Sequence, residues 1–161
     1  MNKEKKLNAK ALTKIAIIAA IYAGITIAVA PLSYAVMQIR VSEAMTILPV
    51  FTPLAIPGLF LGCLIANLLS PVGFIDVVVG SLATLIGAAG TYALRKHRFF
   101  AMCCPVIANG ILVGAMLHYV IGVNLSLWVC IAWVSLGEAA ACFVVGLTLG
   151  KLLDRHKHIF D

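Results

Sequence analysis

Charge is scarce in this chain. Asp, Glu, Lys and Arg together make up 11% of its 161 residues, and only 6 of them are acidic. A soluble domain of this length cannot cover a 63% hydrophobic composition with so few charges, so lipid has to solvate most of the surface. Catalytic and nucleotide-binding motifs are missing too. There is no GxxxxGK[ST] loop, no nucleophile elbow and no HExxH, which excludes a chain that hydrolyses ATP itself and leaves no recognisable catalytic cluster. The 5 cysteines, Cys63, Cys103, Cys104, Cys130 and Cys142, lie in apolar runs without CxxC spacing. That argues against zinc and haem sites and predicts reduced thiols filling the core. No cofactor or metal is expected, and no soluble repeat or low-complexity tail is left over.

What is present is a series of apolar segments separated by basic clusters. The net charge of +6 is concentrated in Lys3 to Lys14, in Arg95-Lys96-His97-Arg98 and in Lys151 to Lys157, with Arg40 alone elsewhere. This is a positive-inside pattern, so all three clusters are expected on the cytoplasmic side, as topogenic signals and not as a nucleic-acid surface. The run from Ala11 to Ala30 follows a Lys-rich head like a signal peptide. It is nevertheless long enough to span, and Pro31 would begin the mature chain, which disfavours cleavage. With both the N-terminus and residues 95–98 inside, an even number of crossings separates them, and four fits better than two. The expectation is an all-α integral membrane protein. It is a single domain over residues 1–161, a bundle of six transmembrane helices at about 12–30, 41–51, 58–69, 74–94, 99–121 and 125–149. Both termini are cytoplasmic, in a bacterial plasma membrane.

Residues 38–80 carry the most information. They are apolar enough for a bilayer, yet contain Arg40, Glu43, Asn67 and Asp76, and Pro49, Pro53, Pro57 and Pro71 interrupt them. Polar groups beside short, broken hydrophobic segments point to a membrane binding site. Residues 31–40 read as an amphipathic outer loop with Tyr34 and Gln38. Elsewhere, polar residues share helix faces with small ones: Asp76, Gly80, Thr84 and Ala88; Gly110, Gly114, His118 and Gly122; Glu138, Cys142, Gly146 and Gly150. Small-residue faces pack against protein, which turns these polar groups into the bundle. Simpler roles exist for most of them. Asp76 fits a helix N-terminal cap, Arg40 and Glu43 an i, i+3 ion pair, and His118 an interfacial hydrogen bond. Glu138 is harder to explain structurally, lying about 20 Å along its helix at 1.5 Å per residue. Arg40, Glu43, Asn67, Asp76, His118, Asn124 and Trp128 fall towards the outer side with Glu138 deeper, as a pocket open to the outside would require. A carboxylate floor suits a planar, donor-rich ligand, on which Trp128, Trp133 or Tyr34 would stack. Ala16, Ala20, Gly24 and Ala28 form an i, i+4 stripe on the first helix, fit either for internal packing or for docking onto another membrane protein.

The stretch over residues 38–87, above all the QIRVSEA motif at Gln38 to Ala44, resembles the queuosine-precursor transporter (QueT) family. The likeness extends over essentially the whole chain, including Leu136-Gly137-Glu138. The resemblance implies a substrate-binding S component of an energy-coupling-factor (ECF) importer, working with a transmembrane coupling subunit and two ATPase subunits. It implies a 7-deazaguanine base such as preQ0, preQ1 or queuine as substrate, and docking through an AxxxA pattern that Ala16 and Ala20 match. The candidate substrate-binding residues remain Arg40, Glu43, Asn67, Asp76, His118 and Glu138, with Ala16, Ala20 and Gly24 for docking. An S component for another vitamin-like molecule is the nearest alternative. A small intramembrane enzyme using Glu138 and His118 as acid and base is a more distant one.

Overall fold

The computed structural model describes residues 9–30 and 40–156; the expected loop at 31–39, with Tyr34 and Gln38, lies outside them. All regular structure among the described residues is helical. Helix α1 is Ala9–Ala28, α2 is Val41–Val50, α3 is Ala55–Asn67, α4 is Phe74–Ala93, α5 is Arg98–Tyr119, and α6 runs continuously over Leu127–Asp154. Four of these, α1, α4, α5 and α6, are long and apolar enough to cross a membrane. Apolar side chains cover the outside, including Ile17, Ile86, Ile107 and Val144, while small and polar ones turn inward. That is a membrane bundle's distribution.

The two short elements explain themselves through proline. Pro49 lies inside α2, where it lacks an N–H and would clash with a carbonyl four residues back in an α-helix. The segment winds as a 3₁₀ helix instead. A rise of ~2.0 Å per residue stretches it to about 20 Å, where an α-helix of the same length would reach about 15 Å. From Ser42 to Pro49 every residue is buried, so α2 is the central strut of the bundle. Helix α3 begins at Ala55 rather than at Gly58, because Pro57 occupies its first turn, where a missing N–H costs nothing. The turn before α4 is made by Gly73 at φ +85°, whose amide donates to the carbonyl of Ser70.

Close backbone approaches hold the long helices together. A Cβ on Gly62 would stand 2.8 Å from the Ala19 carbonyl and the Tyr22 Cβ, so glycine lets α3 lie directly on α1. Gly87 meets Pro105 in the same way, joining α4 to α5, and Gly114 meets Ile131, joining α5 to α6. Pro105 interrupts the hydrogen bonding of α5 and frees the Ala101 carbonyl, which accepts from the Thr91 hydroxyl at 3.1 Å. At one end of the bundle Arg98 pairs with Asp154 and its guanidinium lies 5.2 Å from the Phe51 ring centroid. That contact brings the 95–98 and 151–155 basic clusters to the same end. The sixth helix differs from expectation: Ala140–Gly146 is a π-helical segment, after which α6 continues to Asp154.

Candidate functional site

A closed polar cluster occupies the interior between α1, α2, α3, α4 and α6. Its first part is an ion pair. Arg40 precedes α2, and its Nη2 donates to both Asp76 oxygens, at 3.1 and 3.2 Å, with the two residues 1% and 0% exposed. Asn67 at the end of α3 braces the pair by donating to the Asp76 carbonyl at 2.9 Å. Gly80 makes room: a Cβ there would fall 2.6 Å from Asn67 Nδ2, 3.1 Å from Asp76 Oδ1 and 3.3 Å from Arg40 Nη1. Of the simpler roles, the Arg40–Glu43 pair is replaced by Arg40–Asp76, and Asp76, although in the first turn of α4, uses its carboxylate for that pair and not for a cap. Arg40 reaches across to α4, because the Glu43 carboxylate is already held elsewhere.

Glu43 forms the second part. One carboxylate oxygen accepts from the Tyr22 hydroxyl of α1 and from Thr84 of α4 at 2.7 Å. The other, Oε2, is buried without a hydrogen-bond partner among the described residues. On the other side, Thr46 and the Glu43 carbonyl approach Cys142 Sγ at 3.7 and 3.8 Å. Gly146 allows this approach, since a Cβ there would stand 3.1 Å from the Ala44 carbonyl. The 3₁₀ strut thus packs against the π-helical segment of α6. Both are uncommon windings, and π-bulges occur frequently at functional sites.

Glu138 lies one turn before Cys142 on the same face of α6. It is 1% exposed, and its Oε2 has no hydrogen-bond partner among the described residues. The facing arguments for Asp76, Thr84 and Glu138 therefore agree with the structure. All four members of the rows beginning at Asp76 and Glu138 are buried. Cys63 and Cys142 take part in the polar cluster, whereas Cys103 and Cys104 are half-buried and bond back to the Phe99 and Phe100 carbonyls.

The remaining candidates stand apart. His118 Nδ1 bonds to the Leu125 carbonyl at 2.9 Å, closing the turn between α5 and α6. Trp128 is 77% and Trp133 39% exposed. They face outward because small residues, not aromatics, occupy the inward side of α6, so neither stacks in the cluster. The cluster is also not open to the outside: Arg40, Glu43, Asn67, Asp76 and Glu138 are each at most 1% exposed. Ala16, Ala20 and Gly24 lie on the exposed face of α1, while Ile15, Ala19, Tyr22, Ala23 and Thr26 face the bundle.

Several buried polar groups escaped the sequence reading. Tyr22 and Thr84 bind Glu43, and Thr26 donates to Ser42 at 2.7 Å. Asn109 and Ser81 are buried with oxygens unpartnered among the described residues. Tyr22 gave no signal in an apolar run, as its partner is 21 residues away. Asn109 was detectable as an amide amid apolar residues, by the logic applied to Glu138.

A stretch of 84 residues is 37% identical to the queuosine precursor transporter QueT of Lactococcus lactis subsp. cremoris (strain MG1363). The match spans 51% of this chain and 49% of that relative, about half its length. No solved structure matches. The family model described as QueT transporter matches residues 12–155, and the chain belongs to that family.

Proposed function

We propose that this chain is the substrate-binding and translocating component of an ECF-type importer for a queuosine precursor, a 7-deazaguanine base. The observation that carries this reading is the pair of carboxylates, Glu43 and Glu138, enclosed in an apolar bundle with one oxygen each unpartnered among the described residues. A buried carboxylate without a partner costs several kcal/mol, and in a membrane bundle such groups mark substrate pathways. A guanine-like edge offers N1–H and an exocyclic amine side by side, which a carboxylate accepts as a pair. The relative's name supports the same ligand class. Arg40 and Asp76, braced by Asn67, act in this reading as the frame that holds α2 against α4, and His118 as a support of the α5–α6 turn.

In the same reading the chain is one domain that crosses the bacterial plasma membrane six times, with α2 and α3 as two short crossings. Both termini and the basic ends of α4 and α6 are cytoplasmic. The exposed Ala16/Ala20/Gly24 face of α1 docks on a transmembrane coupling subunit, which is served by two ATPase subunits. The given sequence has no phosphate-binding loop, and in this reading uptake draws on ATP hydrolysed by those partners.

The test is a titration of the purified protein with preQ0, preQ1 and queuine beside riboflavin, thiamine and biotin. A deazaguanine should bind in preference to the vitamins, and Glu138→Gln should weaken it by tenfold or more (about 1.4 kcal/mol) with expression intact. No preference for deazaguanines would remove the ligand assignment. Unchanged affinity in the Gln variant would remove Glu138 from the site.

A further inference from the structure

Resting on that reading, we propose that Asn109 of α5 is a third ligand-gripping residue, whose side-chain oxygen accepts a hydrogen bond from an N–H of the bound base, beside Glu43 and Glu138. Two apolar layers bracket its position. One layer packs Val113 of α5 with Val134 of α6 and Ala83 of α4. The other packs Met102 and Val106 of α5 with Cys142 of α6 and Ile47 of α2. On α5, Asn109 falls between Val106 and Val113, one turn from each. On α6, Glu138 falls between Val134 and Cys142, again one turn from each, so the two residues occupy the same level. Glu43 joins them there. Its carbonyl lies 3.8 Å from Cys142 Sγ, and its carboxylate accepts from Thr84, the neighbour of Ala83.

The amide of Asn109 is held in one orientation. Its Nδ2 donates to the Pro105 carbonyl at 3.2 Å, and its Oδ1 is buried without a partner among the described residues. By this spacing α2, α5 and α6 each bring one unpartnered acceptor to that level, Glu43 Oε2, Asn109 Oδ1 and Glu138 Oε2, while the other unpartnered buried oxygens, Asn67 Oδ1 and Ser81 Oγ, belong to α3 and α4. Leaving one buried acceptor unpaired is already unfavourable. Three in one layer describe the complement of a ligand that presents donors on more than one edge. Guanine-like bases do so through the amide and amine of one edge and the pyrrole N–H of another.

Asn109→Leu, of similar volume, and Asn109→Ala, which adds no bulk, separate a contact from a steric effect. Both are titrated with preQ1 in detergent, and their unfolding midpoints are measured without ligand. Each variant should bind at least tenfold more weakly than wild type, while the ligand-free midpoint of the Leu variant stays level or rises, because an unpaired polar atom has been removed. A loss below tenfold in the Ala variant overturns the assignment, as does a drop in ligand-free midpoint in both variants, which would make Asn109 a structural brace. Failure of the wild-type protein to bind any of the three deazaguanines is a different result: it brings down the ligand class proposed above, and this assignment with it.

Discussion

At the scale of single residues, the cluster divides into an ion pair and two carboxylates without a cationic partner, and Arg40 Nε and Asn67 Oδ1 beside the pair are also unpartnered among the described residues. The Arg40–Asp76 pair is fully buried and doubly hydrogen-bonded, so each charge depends on the other. Arg40→Ala or Asp76→Ala is expected to lower stability by about 3–5 kcal/mol, because one charge stays behind unpaired. The double change Arg40→Met with Asp76→Leu should recover most of it, read as thermal or denaturant midpoints in detergent. Gly80→Ala attacks the same pair sterically. Its Cβ would fall 2.6 Å from Asn67 Nδ2, and a loss of about 1–3 kcal/mol is expected from overpacking. Asp76 and Glu138 were legible as inward-facing from the small residues spaced around them, and Glu43 as a charge within a broken apolar segment. Their partners were not, because Arg40 reaches Asp76 over 36 residues and Thr84 reaches Glu43 over 41.

At the scale of elements, close approach and proline decide the packing. Gly62→Ala should separate α3 from α1, since the added carbon meets a backbone carbonyl at 2.8 Å. Gly24→Ala, with nothing within 4 Å among the described residues, should leave folding unchanged or slightly improved, as alanine favours a helix by ~1 kcal/mol over glycine. Comparing the two unfolding midpoints checks which side of α1 faces the bundle. Thr91→Val removes the donor that satisfies the Ala101 carbonyl freed by Pro105; a cost of about 1–3 kcal/mol follows from the exposed acceptor in a dry interior. Apolar runs and basic clusters revealed the long helices to within a few residues. Pro49 announced a break in α2 but not its 3₁₀ winding, and the π segment of α6 was hidden, because it meets α2 only across the bundle, where Thr46 approaches Cys142 and Gly146 approaches Ala44.

At the scale of the whole molecule, one face of α1 is left open. If Ala16, Ala20 and Gly24 receive the coupling subunit, leucine or larger at Ala16 and Ala20 should abolish uptake in cells while leaving preQ1 affinity of the purified protein within about twofold, a shift of ~0.4 kcal/mol. Loss of affinity instead would mean that the stripe supports the bundle from within. The Arg98–Asp154 contact makes a separate claim on topology. A cysteine-reactive, membrane-impermeant reagent should treat single cysteines placed at Lys96 and Arg155 alike, and under the proposed cytoplasmic orientation both should be unreactive from outside intact cells.

Sequence alone determined the solvent of this protein and the inward face of Asp76 and Glu138. Lipid follows from the shortage of charge, and burial of the carboxylates follows from the cost of exposing them to hydrocarbon. Only tertiary structure decided which acid is neutralised and which is left free. That choice depends on distances between helices far apart in the chain, and on where a missing Cβ lets an arginine reach one carboxylate while two hydroxyls reach another.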